Sequence, residues 1–222
     1  LNLEKAVIEK TGELREIAEL STEVFKGDIT LRQIIEHCLT TIVDKMGFDY
    51  SVFCLVEKET GLLSQEVRKG TAKGLCDLEI PLGGDHPFAK VIREAKPTIK
   101  KHADLNIPES FQNFALIPLL SPQRKRCTEI NLCSFEHCPA FKGPEERCWL
   151  INDTLCRSPH SVSGKEKIYG CLHCPVFPVI GVLVAGRKSE ISTSALHSLN
   201  ILTAEIASAI ENQRLIESKK ED

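Results

Sequence analysis

The feature that most restricts how this chain can fold is the stretch from Cys127 to Cys174. Seven of the ten cysteines in the 222-residue chain lie there, together with Trp149, the only tryptophan. From Cys133 onward the thiols are spaced C-x4-C, C-x9-C, C-x7-C, C-x14-C and C-x2-C, and Cys138 and Cys174 are each followed by proline. The N-terminal residues are charged and amphipathic, not basic and then apolar as in a secretory signal, so a reducing, cytoplasmic setting is expected. In that setting clustered cysteines hold metal or do redox work more often than they cross-link. Seven thiols also cannot all pair with one another. The expectation is a metal- or cluster-binding excursion over residues 121–176, carried by an otherwise ordinary domain.

Composition removes several classes of partner. Apolar residues make up 42% and charged residues 27%, the profile of a water-soluble domain long enough to bury a proper core. A net charge of −3 gives no reason to expect nucleic acid or an anionic membrane as partner. No apolar run approaches the roughly 18–20 residues that a membrane span needs. The sequence begins with Leu and ends on a charged helical pattern, so it is expected to be part of something longer.

Periodicity orders the rest. Leu3, Val7, Leu14, Ile17 and Val24 form a partial heptad over residues 1–26, read as a linker or coiled-coil helix. Thr30 and Asp28 are helix N-cap types, and Leu31 to Met46 carry one continuous apolar face that Gly47 ends. Cys38 falls on that face and reads as a core residue. Asp49–Glu57 and Leu62–Lys69 alternate as two strands of a hairpin, with Cys54 packed mid-strand; Cys76 opens a third apolar segment and is given the same structural role. Gly83-Gly84 reads as a turn into a short helix from about His86 to Ala95. Phe114–Leu120 and Val176–Arg187 are apolar enough for central strands, and a long helix starts at Ser192. A connection this long between two core strands must have its own organisation.

The segments FALIPLL, IGVLVAGRKS and ILTAEIASAIENQRLIE, in this order of elements, resemble a GAF domain, the small-molecule-sensing relative of the PAS fold. The resemblance covers roughly residues 25–216 without the excursion, and the domain is placed at 27–216, with 217–222 as the start of a linker. It implies an α+β fold: an antiparallel sheet with helices on one side, long N- and C-terminal signalling helices, and a cysteine-rich excursion between two core strands. It further implies a sensory input module that forms a homodimer through its terminal helices and is covalently linked to an output domain, a histidine kinase or similar, outside this chain. The long excursion departs from the family pattern, in which those strands are joined by a short connection. The series C-P…C-W…C…C-x2-C-P also resembles a cysteine-rich motif of bacterial redox and signalling proteins.

Four thiolates close a tetrahedral zinc site or hold one iron–sulfur cube. Structural zinc usually takes two close pairs, and here only Cys171 and Cys174 form one, with Cys133 and Cys138 looser. A cube is wider and accepts scattered loop positions, and Cys-Pro recurs in ferredoxin ligand runs. The favoured cofactor is therefore a four-iron, four-sulfur cluster, with zinc as the alternative and haem, disulfide or metal-free thiols as lesser options. The expected ligands are Cys138, Cys148, Cys156, Cys171 and Cys174, with Cys133 in reserve. Cys127 follows the basic run Gln123–Arg126, which could lower its thiol pKa, although a solvated loop explains that run equally well; His137, His160 and His173 are read as ordinary loop residues that could substitute as ligands. No metalloprotease helix, phosphate loop or nucleophile elbow is present, so catalysis is not expected. The methionine-sulfoxide reductase activity of a few GAF proteins is the nearest enzymatic alternative.

Overall fold

The computed structural model of the chain describes residues 30–70, 79–101, 113–122, 129, 136–141, 148–151, 154, 167–174 and 176–221. The heptad over residues 1–26 and Cys76, Cys127, Cys133, Cys156 and His160 lie outside the described residues.

Helix α1 (Leu31–Asp44) starts where the sequence signals it. Thr30 accepts from the backbone of Gln33 while the Gln33 side chain accepts from the Thr30 backbone, a reciprocal box that satisfies two otherwise orphaned donors. Gly47, at φ +70°, then turns the chain into strand β1 (Tyr50–Glu57), which pairs antiparallel with β2 (Leu62–Gly70). A two-residue edge strand β3 (Ile80–Pro81) precedes helix α2 (Pro87–Glu94). Strand β4 (Thr98–Lys101) follows, a short TIKK edge that the sequence reading passed over because four residues show too little alternation to stand out. Strands β5 (Asn113–Leu120) and β6 (Val179–Arg187) complete a six-stranded sheet in the order β3-β2-β1-β6-β5-β4. Helix α4 runs unbroken from Thr193 to Glu221. No helix among the described residues is long and apolar enough to cross a membrane.

β5 and β6 are direct antiparallel neighbours, and the chain leaves and re-enters the sheet between them. The Ser121 N–H donates to the Pro178 carbonyl at 2.7 Å, which draws the two ends of the excursion together. The expected strand start at Val176 moves to Val179. Val176 and Phe177 instead turn away from the sheet, with the Phe177 N–H bonded to the Cys174 carbonyl.

Strand alternation divides the core in two. Phe53, Ala115, Ile117, Leu119, Leu183 and Ala185 face α1 and α4, where Leu39, Ile42, Leu199, Leu202, Ile206 and Ile210 are all nearly inaccessible. Tyr50, Val52, Cys54, Phe114, Leu116, Val182 and Val184 point the other way. The expectation of helices on one side is thus corrected. The two long helices share one face, but α2 and part of the cysteine-rich segment cover the opposite face, because β1, β5 and β6 are apolar on both sides and neither side can be left to water.

Candidate functional site

The second face, distal to α1 and α4, holds described parts of the cysteine-rich excursion. Two short elements from the excursion lie on it: a 3-10 turn at Cys148–Leu150 and helix α3 (Lys167–Cys171), packed against each other. Trp149 anchors the first. Its ring meets Phe177 edge to face at 5.3 Å, and its Nε1–H donates to the Arg93 carbonyl at the end of α2 (2.8 Å), so the one polar atom of a buried indole is satisfied. Arg93 in turn donates to the Leu82 carbonyl and, at 2.6 Å, to that of Gly84.

Tyr169 anchors the second element. Its hydroxyl accepts from the Gly83 N–H at 3.0 Å, and its ring lies in a slot between Gly61 and Gly83. A Cβ at Gly61 would run into that ring, and one at Gly83 would stand 2.9 Å from it. Gly61 is doubly required, since its φ of +67° is also strained for any side chain. The contacts form a closed loop: Trp149 to Arg93, Arg93 to the Leu82–Gly84 turn, that turn to Tyr169, and α3 back to the 3-10 turn through Lys167.

Four of the five cysteines expected as ligands are described. Cys148 opens the 3-10 turn and Cys171 ends α3; both are buried in the distal cluster with Trp149, Ile168, Leu172 and Phe177. Cys174 packs partly buried against the same cluster, its N–H bonded to the Cys171 carbonyl at 3.0 Å, so the C-x2-C pair forms a tight turn. Cys138 is buried in a separate turn in which the Phe141 N–H donates to its carbonyl at 2.8 Å. None of the six described cysteines is disulfide-bonded. Among the described residues no three of His, Cys, Asp and Glu are grouped so as to hold a metal ion, and Cys156 and the reserve Cys133 lie outside them. The thiols of Cys148 and Cys171 are soft donors buried on the distal face, with Cys174 partly buried beside the same cluster, a donor type that suits thiolate ligation.

Other sequence readings find their places. Cys54 and Cys38 are core residues, on the distal and proximal faces respectively. Burial, with a smaller contribution from the Glu205 charge, pushes the Cys38 thiol up to about 12, so it stays protonated and unreactive. His137 and His173 are exposed. Gly83-Gly84 forms a turn, closed by the Gly84 N–H on the Pro81 carbonyl at 2.9 Å. His86 caps α2, its Nδ1 accepting from the Phe88 N–H, and burial lowers its pKa.

Arg93, Tyr169, Lys167 and the Gly61–Gly83 slot were not legible as parts of a site. The one available signal was scarcity: Tyr169 is one of only two tyrosines, set inside the cysteine-rich stretch.

No family model and no curated protein matches the sequence. Solved structures do. The GAF domain of a phosphoenolpyruvate-protein phosphotransferase from Acinetobacter superposes with a TM-score of 0.56 at 13% identity, over 93% of this chain and 97% of that one. The fold is the GAF fold. The GAF domain of a proposed sensor histidine kinase from Pseudomonas syringae pv. tomato gives 0.53 at 14% identity, covering 97% of this chain and 96% of that one. Free methionine-R-sulfoxide reductase from Neisseria meningitidis, solved with its substrate, gives 0.56 at 12% identity, with coverage of 90% and 89%. Structures of this fold therefore include a domain of a phosphotransferase, a domain of a sensor histidine kinase and a reductase, and the choice among roles rests on the site.

Proposed function

We propose that this GAF-fold chain is the sensory input domain of a cytoplasmic signal-transduction protein, and that its cysteine-rich excursion receives the signal. One observation carries the reading: Cys148 and Cys171, from two separate stretches of the excursion, belong to the same apolar cluster on the distal face of the sheet, and Cys174 packs against it. That face is covered by the chain's own Trp149, Ile168, Leu172, Val176 and Phe177, which favours sensing through the excursion over a substrate bound there, and no catalytic role is assigned.

Thiolates of Cys138, Cys148, Cys156, Cys171 and Cys174, with Cys133 in reserve, are the residues that would hold a four-iron, four-sulfur cluster. Such a group supplies redox or gas sensitivity when bound. The protein's part is positional. Trp149 and Phe177, each 7% exposed, keep water from Cys148. The Cys171–Cys174 turn continues through Phe177 and Pro178 into β6, and β6 leads to α4, so any rearrangement of the turn pulls on the strand that precedes the long helix. Homodimerisation through the terminal helices, and an output domain beyond them, complete the proposal.

Zinc is the second reading, favoured by the tight Cys171–Cys174 turn, the knuckle geometry of a structural zinc pair. In that case the excursion is a stapled docking module. Anaerobic purification followed by absorption spectroscopy and iron, sulfide and zinc analysis separates the two. Brown protein with iron and acid-labile sulfide, bleached by air, is the expected result. Colourless protein with stoichiometric zinc moves the assignment to the docking module, and protein with neither metal overturns both.

A further inference from the structure

Lys167 is buried to 7% exposure, although lysine is among the residue types least often found inside a protein. Its ammonium is fully used. It donates to the Cys148 carbonyl at 2.8 Å, to the Thr154 hydroxyl at 2.5 Å, and to the Ile151 carbonyl. Among the described residues none of these partners is a carboxylate, and no ion pair offsets the charge. Burying an ammonium is costly even when its donors are satisfied, so lysine is favoured at this corner where negative charge is nearby.

The position of Lys167 supplies the missing part. It opens α3, and Cys171 lies four residues on, one turn along the same helix face. The opposite end of its contacts is the backbone of the turn that carries Cys148. One side chain thus ties together the two elements whose thiols share the distal cluster, although Cys148 and Cys171 are far apart in sequence. Two of its three acceptors are backbone carbonyls: that of Cys148, which also accepts from the Ile151 N–H at 3.2 Å, and that of Ile151, the residue just past the 3-10 turn.

We infer that Lys167 is the positioning residue of the cysteine site: it fixes Cys148 against Cys171 and supplies the positive charge that thiolates at these positions require. The inference deepens the reading of the excursion as a thiolate site and rests on it. It predicts that the pairing of the two thiols depends on the ammonium, and that arginine, which keeps the charge and the donors, substitutes in part while methionine does not.

The test uses the full chain, reduced and treated with chelator, in a Cys174→Ser background so that Cys171 is not captured by its near neighbour. Phenylarsine oxide bridges two thiols only when they are adjacent, and peptide mapping by mass spectrometry reads the Cys148–Cys171 bridge. The bridge is expected in the parent, to fall at least about tenfold in Lys167→Met and to be largely retained in Lys167→Arg, in line with the effect of removing groups that orient metal ligands. Equal yields in the parent and Lys167→Met overturn the inference. Thr154→Val removes one acceptor only; should Lys167→Met fail to fold by circular dichroism, an undiminished bridge in Thr154→Val overturns it instead. A Zn2+ titration of the chain with native Cys174 keeps the two readings apart. Bridging that follows Lys167 in a chain that takes up neither zinc nor iron leaves the positioning role standing and removes the metal, whereas metal uptake that Lys167→Met leaves unchanged removes the positioning role and leaves the metal.

Discussion

The two faces of the sheet are covered by different means. On the proximal face α1 and α4 lie against aliphatic strand residues, and hydrogen bonds between helix and sheet are few; Ser51 Oγ to the Leu39 carbonyl at 3.3 Å is one of them. On the distal face short elements are held at discrete points: an indole on the Arg93 carbonyl, a phenol on the Gly83 amide, and an ammonium on three oxygens. Burial spread over two long helices is lost only when the whole domain opens. A cover held at a few points can be released alone, as sub-global opening requires. The contrast predicts global stability from one side and local opening on the other.

The largest test of this contrast is Trp149→Ala, which removes the indole core of the distal cluster and its bond to Arg93. A cost of about 3–5 kcal/mol to the stability of the distal cover is expected from truncating a buried tryptophan. Amide hydrogen exchange locates the loss: residues 167–174 should exchange far faster while α1 and the buried turns of α4 keep their protection. Uniform loss of protection across both faces would break the contrast.

Gly61→Ala is expected to act next, by about 1–3 kcal/mol, through its positive φ and through collision with the Tyr169 ring. In a double-mutant cycle read by urea unfolding, Tyr169→Ala should recover the collision part and leave only the backbone strain. Additive effects would show that Tyr169 does not occupy the slot.

The smallest effect concerns pH. Burial lowers the pKa of His86 from its usual 6.5, so the unfolded chain binds the extra proton first as pH falls. The stability that neutral His86 contributes is complete above about pH 6.5 and is lost as pH drops through the folded value. His86→Asn keeps an N-cap acceptor and should flatten the melting temperature between pH 7 and 5, relative to the parent, by a small margin. An identical slope in both proteins would place the pH response elsewhere.

Much of this architecture could be read from residues alone. The amphipathic face of Leu31–Met46, the alternation from Tyr50, the apolar runs that became β5 and β6, and the Gly83-Gly84 turn all rest on interactions between near neighbours in sequence, which period and cap chemistry report directly. Strand β4 was too short to show a period. The start of β6 moved because the Phe177 N–H is bonded to the Cys174 carbonyl and Pro178 has no N–H to give to a ladder.

What the sequence by itself determined was the longer helices and strands and the cysteine content of the excursion between β5 and β6, since both follow from local pattern. Tertiary structure alone decided that described parts of the excursion fold back onto the distal face, and that Lys167, Tyr169 and Trp149 hold them there. These contacts span 16 residues from Lys167 to Ile151, 56 from Trp149 to Arg93 and 86 from Tyr169 to Gly83. The physical reason is that a hydrogen bond of this kind exists only once an apolar face has been closed around it, and no residue announces in advance which distant carbonyl or amide it will meet.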